Sequence, residues 1–160
     1  MYFEKITRFE IAERQLTHAI ELYLANDHLV SAITLAGAAD GVLGDLVNKK
    51  GKPNALEEKV AKLCGMFEAV FKTKANPKDF FILRNNARNR FKHADDATHE
   101  ADTVEINLED EAVKMIDRGI KNYNKLHGRR QPLFREFQKE RTRRYRLRAS
   151  ESEVVCHGKA

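Results

Sequence analysis

Arg88, Asn89 and His93 are the residues of this sequence best suited to chemistry, because three complementary polar groups fall within six positions. A histidine imidazole exchanges protons near neutral pH, so His93 can serve as a general base or acid. The Arg88 guanidinium offers a fixed fork of donors to anionic oxygens, and Asn89 can orient the imidazole or hold an oxygen. Together these groups indicate proton transfer beside a bound anion.

A helix over residues 78–93 is predicted to carry this cluster. At 100° per residue one apolar face is predicted to point into the core, formed by Phe80, Leu83, Ala87 and Phe91. The polar arc lies away from that face and comprises Asn85, Arg88, Asn89 and His93. Phe81 and Ile82 make the first turn apolar nearly all round. We therefore expect a second cover there, either another helix or a partner chain.

Helical periodicity also marks the other elements. Six helical segments are predicted, at about 3–25, 28–49, 55–74, 78–93, 109–127 and 131–149. Asp27 and Asn54 are the expected N-caps of the second and third segments, and Gly128 is the expected end of the fifth. The sequence thus predicts an all-α, antiparallel bundle of four to five helices in residues 1–128. A basic C-terminal helical extension occupies residues 129–160.

The run from Arg88 to His93 has the form R-N-x-x-x-H. It resembles the R-x(4–6)-H signature of HEPN domains, small all-α proteins of many prokaryotic toxin and defence systems. The resemblance covers roughly residues 3–127 and implies an HEPN-like bundle. It also implies a homodimer that acts on RNA as a metal-independent endoribonuclease. In that reaction the 2′-hydroxyl attacks the adjacent phosphate and leaves a 2′,3′-cyclic phosphate.

The resemblance assigns roles to residues of this chain. Arg88, Asn89 and His93 would be catalytic, with Arg84 and Lys92 adding charge that binds substrate. The partners it implies are RNA, a second copy of the chain, and an antitoxin or other protein.

Other interpretations of the same residues stay open. The chain can instead be a non-catalytic helical module for dimerisation or interaction. In that case Arg88 and His93 cap and solvate a helix end, where Asp95 or Asp96 pairs with a neighbouring cation. The Ala- and Gly-rich segment 28–49 is either a central core helix or a self-association surface. Its Asp40 pairs with Arg84 or Arg88, or faces solvent.

The C-terminal segment 129–148 holds nine Arg or Lys against two Glu, so the rest of a chain of net charge +5 is slightly acidic. Its Leu133, Phe134 and Phe137 can dock on the bundle. As a nucleic-acid contact it would hold substrate through Arg141, Arg143, Arg144 and a stacking Tyr145. Alternatively it is a solvated tail, or an arm that pairs with the acidic stretch 95–110.

Several classes of function lack their usual signals. The six histidines form no H-x(3)-H or H-E-x-x-H pair, so no metal is predicted, and no phosphate-binding glycine loop predicts a cofactor. We find no stretch of about 18 apolar residues that would span a membrane. Cys64 and Cys156 fit no metal-ligand pattern, so we expect a reduced, cytoplasmic protein without membrane contact.

Overall fold

Six α-helices make up the described part of the chain, and no strand occurs in it. The computed structural model describes residues 3–92, 105–128 and 131–157. The helices are, in order, α1 (Arg8–Leu24), α2 (Leu29–Lys49), α3 (Ala55–Phe71), α4 (Pro77–Lys92), α5 (Leu108–His127) and α6 (Pro132–His157). The predicted all-α class is confirmed. A specifically HEPN-like arrangement stays a prediction.

Helix α2 forms the centre of the bundle, since its most extensive contacts are with α1 and α5. Its alanines Ala32, Ala36 and Ala39 are fully buried, as expected where small side chains let helices approach closely. Helices α1 and α5 also meet closely. A Cβ placed on Gly119 would lie 2.8 Å from Cδ1 of Leu16, so glycine lets the two helices cross without displacing that side chain. Of the two interpretations of segment 28–49, the structure shows the core helix.

Helix α2 is long and apolar enough to be a candidate membrane span, although the sequence analysis predicted none. Its best 18-residue window has a mean hydropathy of 1.4, so by length and composition alone it is apolar enough to cross a membrane. Half of that window is buried inside the bundle. A central core helix has the same composition because it is covered on several sides.

Capping groups set the start of α1 later than the sequence pattern predicts. Thr7 accepts a hydrogen bond from the Glu10 amide, and the Glu10 carboxylate accepts one from the Thr7 amide, which completes a capping box. The apolar residues before it do not extend the helix, and Phe3 is 83% exposed. The predicted cap of α2 is also wrong, because His28, in the left-handed region, precedes that helix in place of Asp27.

Helix α3 begins as predicted. The Asn54 side chain accepts from the Leu56 and Glu57 amides, and the Glu57 carboxylate accepts from the Asn54 amide. Its apolar face is covered less than its regular spacing suggests, because Val60 is buried whereas Val70 is exposed.

Helix α6 contributes aromatic side chains to the main core. Phe134 and Phe137 are buried; the Phe137 ring meets Tyr23 of α1 edge-on at 5.1 Å, and the Phe134 ring meets Tyr123 of α5 at the same distance. Gly128 ends α5 in the left-handed conformation, as predicted. Residues on both sides of position 128 therefore share one core.

Replacing Phe137 by alanine should lower the free energy of unfolding by about 3–5 kcal/mol, because it removes a buried ring from between α1 and α6. The matched control is Leu147→Ala on the exposed side of α6, which should change it by less than about 0.5 kcal/mol. Urea denaturation followed by circular dichroism measures both. Equal effects would show that α6 does not belong to the core.

Candidate functional site

Two buried opposite charges lie at the heart of the bundle. Asp40 of α2 is 3% exposed and Arg118 of α5 is 6% exposed. The Arg118 Nη2 donates to Asp40 Oδ2, and the Asn122 Nδ2 donates to Asp40 Oδ1 at 2.9 Å. A buried carboxylate is costly unless it is paired and hydrogen-bonded, so these contacts explain how α2 tolerates Asp40.

The same guanidinium reaches the helix that carries the predicted motif. Arg118 Nη1 donates to Asn85 Oδ1 at 2.9 Å and to the Arg84 carbonyl oxygen at 3.3 Å. On α5, one turn further along, Asn122 Oδ1 accepts from the Ala55 amide at the start of α3, at 2.8 Å. We call Asp40, Asn85, Arg118 and Asn122 the buried polar network. It joins α2, α3, α4 and α5.

The network corrects one interpretation of Asp40 and adds residues that the sequence analysis missed. Asp40 does not face solvent. Its described charged partner is Arg118, and Arg84 takes part through its carbonyl oxygen. One signal for Arg118 was present: it falls between Met115 and Asn122 on the side of α5 that also carries buried residues. An arginine in that position requires a carboxylate from a neighbouring helix.

Helix α4 is rotated relative to the prediction. Of the expected core face, Phe80 is half-buried against Phe67 of α3, but Leu83 is 66% exposed. Phe81, Arg84 and Asn85 are half-buried in its place. Asn85 was expected on the outer, polar arc but bonds to Arg118. The physical reason is that a buried guanidinium needs acceptors, and Asn85 supplies one at the expense of an apolar contact.

The predicted catalytic residues follow this anchored turn. Residues 88, 89 and 92 belong to the helical backbone of α4, as predicted, and residue 88 lies one turn beyond Arg84. The side chains of Arg88, Asn89 and Lys92 are outside the description, and His93 lies outside the described residues altogether, as do Asp95 and Asp96. The convergence of Arg88, Asn89 and His93, and any contact between Arg88 and Asp40, therefore stay predictions.

Arg84 was predicted to bind substrate, and it is the member of that group closest to the network. Its side chain is half-buried, and its Nε is shielded from solvent. Among the residues that the structure describes, no acceptor lies within hydrogen-bond distance of that Nε.

Two of the three predicted substrate-binding arginines of α6, Arg141 and Arg144, contact the bundle. Arg141 pairs with Asp117 of α5. Arg144 lies over the Tyr23 ring, 4.6 Å from its centroid, and donates to the Tyr23 carbonyl oxygen at 3.1 Å. These contacts hold α6 against α1 and α5, and they engage the donors that a substrate phosphate would need.

Ion pairs also neutralise the charge of Glu140 on α6. Hydrogen bonds from Arg143 and Arg144 lower the pKa of Glu140 to about 2. Burial raises the pKa of Tyr23 to about 12, against the opposing effect of the Arg144 charge. At neutral pH the acid is therefore ionised beside its two arginines, and the phenol stays neutral.

One alternative for the basic segment receives support at its far end. Arg148 donates to Asp110 at 3.0 Å and lies 3.7 Å from Glu109, so α6 pairs with the acidic start of α5 within one chain. The hydrogen bond to Asp110 raises the pKa of Arg148. The remainder of the acidic stretch, residues 95–104, lies outside the described residues.

The described residues contain no group of three metal-ligating side chains, and Cys64 is a free, half-buried thiol. No family model matches the chain, and no curated protein or solved structure is similar enough to count as a match. The resemblance to HEPN domains accordingly rests on the motif and the helical context.

Removing one partner of the Asp40–Arg118 pair should be far more damaging than removing both. Arg118→Met and Asp40→Leu should each lower the free energy of unfolding by about 3–5 kcal/mol, because each leaves a buried charge without its counter-ion. The double variant should lose clearly less than the sum of the two. Lys121→Met, at an exposed position of α5, is the control and should change stability by under about 0.5 kcal/mol. Strict additivity in urea denaturation would show that the charges do not interact.

Proposed function

We propose that this protein is a metal-independent endoribonuclease of the HEPN type. One observation carries the proposal: Arg118 bonds to Asn85 and to the Arg84 carbonyl oxygen, immediately before the Arg88-Asn89 motif on the same helix. A reaction slows steeply when its catalytic groups are misplaced by about an ångström. A motif on a helix that is fixed by a buried ion pair is therefore suited to catalysis.

The proposed reaction needs only the groups of the motif. His93 removes the proton from the 2′-hydroxyl of RNA, and the 2′-oxygen forms a bond to the adjacent phosphorus. The bond from phosphorus to the 5′-oxygen breaks, leaving a 2′,3′-cyclic phosphate and a 5′-hydroxyl that takes up a proton. Arg88 stabilises the charge that develops on the phosphate oxygens, and Asn89 orients the imidazole. We propose a toxin or defence role in the cytoplasm, with an antitoxin or similar protein as a partner.

The purified protein should cleave single-stranded RNA in the presence of EDTA and leave 2′,3′-cyclic ends. His93→Ala should reduce the rate by about 100-fold or more, because general acid–base groups contribute factors of that size. The readout is single-turnover cleavage of a labelled oligonucleotide, with product ends identified by mass spectrometry.

His18→Ala is the control, since His18 is an exposed histidine of α1 far from the motif in sequence, and it should leave the rate unchanged. An oligonucleotide of deoxynucleotides should resist cleavage because it lacks the attacking hydroxyl. Equal rates for the wild type and His93→Ala would remove the proposal.

A second candidate function, a non-catalytic dimerisation module, is favoured by an exposed apolar patch. The patch lies on the α3–α4 hairpin, and its side chains are 57–71% exposed: Met66, Val70, Phe71, Ile82 and Leu83. Large exposed apolar side chains on two helices that pack against each other favour an interaction surface. We propose a second copy of the chain as the occupant of this patch.

The position of the patch links it to the motif. Residue 83 precedes residue 88 by five positions of α4, about 8 Å along the helix axis. A two-fold contact places the same surface of each copy against the other, so both α4 helices would lie at or near one interface. Both candidate functions are therefore compatible with the same dimer, and cleavage distinguishes them.

Val70→Glu and Leu83→Glu should each weaken the dimer at least 10-fold, because each would bury an unpaired carboxylate in the contact. Sedimentation velocity over a concentration series measures the dissociation constant. Val30→Glu is the control, at an exposed apolar position of α2 outside the patch, and it should leave the constant unchanged. A wild type that stays monomeric at tens of micromolar would contradict the dimer.

A further inference from the structure

Helix α6 has two faces that both carry arginine. The inner face holds the buried Phe134 and Phe137 together with three cations that contact the bundle: Arg141, Arg144 and Arg148. The outer face, on the opposite side at 100° per residue, carries four exposed cations: Arg135, Lys139, Arg143 and Arg146. We call these four residues the outer basic row.

The two sets of cations differ in what neutralises them. Each inner arginine has a carboxylate partner: Asp117 for Arg141, Glu140 for Arg144 and Asp110 for Arg148. Within the outer basic row, Arg143 pairs with Glu140. For Arg135, Lys139 and Arg146, no ion pair or hydrogen-bonded side chain occurs among the residues that the structure describes. Docking of α6 thus neutralises one face and leaves the other charged.

The geometry of the row suits a linear anionic polymer. Successive cations are four, four and three residues apart, so each lies about one helical turn, roughly 4.5–6 Å, beyond the last. The row extends about 16 Å along the axis. An open groove follows it and is lined by all four cations.

We propose that the outer basic row binds the phosphate backbone of RNA, independently of sequence. The inference rests on the proposed function only in naming RNA as the polymer. Cations arranged in this way bind a polyanion by releasing its condensed counter-ions. The face does not suit a membrane surface, because polar Gln138, Thr142 and Ser150 stand beside the cations and the phenylalanines of α6 are buried on the other side.

The residues on either side of the row would determine which way the bases of a bound strand point. Glu136 lies along one flank, where its carboxylate repels phosphate. Tyr145 lies along the other flank and is 68% exposed, so its ring is available for stacking. A strand whose phosphates follow the row would therefore turn its bases towards Tyr145. This arrangement distinguishes RNA from polyanions that have no bases.

The test uses the full chain carrying His93→Ala, so that RNA is bound but not cut. In this background Arg135→Gln, Lys139→Gln and Arg146→Gln are combined, and binding of a single-stranded RNA 12-mer is measured by fluorescence anisotropy between 50 and 300 mM salt. The slope of log affinity against log salt should fall by about 2, at about 0.7 per phosphate contact. Affinity at 0.1 M salt should fall by about 10- to 100-fold.

The matched control combines Lys52→Gln, Lys59→Gln and Lys62→Gln, which removes the same charge from exposed positions around the start of α3. It should leave the slope unchanged. Equal loss in the two triple variants, or no RNA binding by the parent, overturns the proposal. Loss confined to the outer-row variant supports it even if the wild type cleaves no RNA, so failure of the proposed nuclease activity is a separate outcome.

Tyr145→Leu supplies the second arm. It should weaken binding of the RNA 12-mer by about 5-fold or more and leave binding of heparin, a polyanion without bases, unchanged. Equal effects on both ligands would remove the base-stacking flank. Vesicles of anionic lipid form the last comparison. If the outer-row variant loses vesicle binding but keeps RNA binding, the row is a membrane contact and the proposal falls.

Discussion

The ion pair between Asp40 and Arg118 is the constraint on which the rest of the bundle depends. Two buried charges must form an ion pair, and their remaining donors and acceptors must be hydrogen-bonded. The helices that carry them therefore have little freedom to slide or rotate. The pair draws in Asn122 from α5 and Asn85 from α4, and through Asn122 it fixes the first amide of α3. A handful of polar atoms thereby sets the relative positions of four helices that apolar contacts alone would specify loosely.

This constraint explains which parts of the fold could be predicted from the sequence. Local signals located the helices: the Asn54–Glu57 capping box begins α3, and Gly128 ends α5 where expected. The rotation of α4 was beyond local reasoning, because the partner that turns Asn85 inward is Arg118, 33 residues away. The partner of Asp40 was missed for the same reason, since Arg118 lies 78 residues further along the chain. The site residues from 88 onwards could be assigned by motif alone.

The arginines of α6 show that sequence alone also cannot predict which charges are exposed. Counting residues identifies a strongly basic segment, but only the docking of Phe134 and Phe137 decides which cations turn towards acids of the bundle. The Arg144 guanidinium donates hydrogen bonds to Tyr23 and Asn26, whereas Arg146, two positions later, is exposed. The basic segment looks uniform in sequence. In the structure one of its faces binds the bundle and the other is a charged surface. Removing the whole segment would therefore take away core aromatic residues together with the charge.

The close crossing at Gly119 has a consequence for evolution of the chain. Position 119 adjoins Arg118, and a methyl group there would meet Leu16 at 2.8 Å. A larger residue would press on the Leu16 side chain, which must shift or push α5 away from α1, and in the second case residue 118 would move with α5. A purely steric change at an uncharged position would then disturb the geometry of the ion pair beside it.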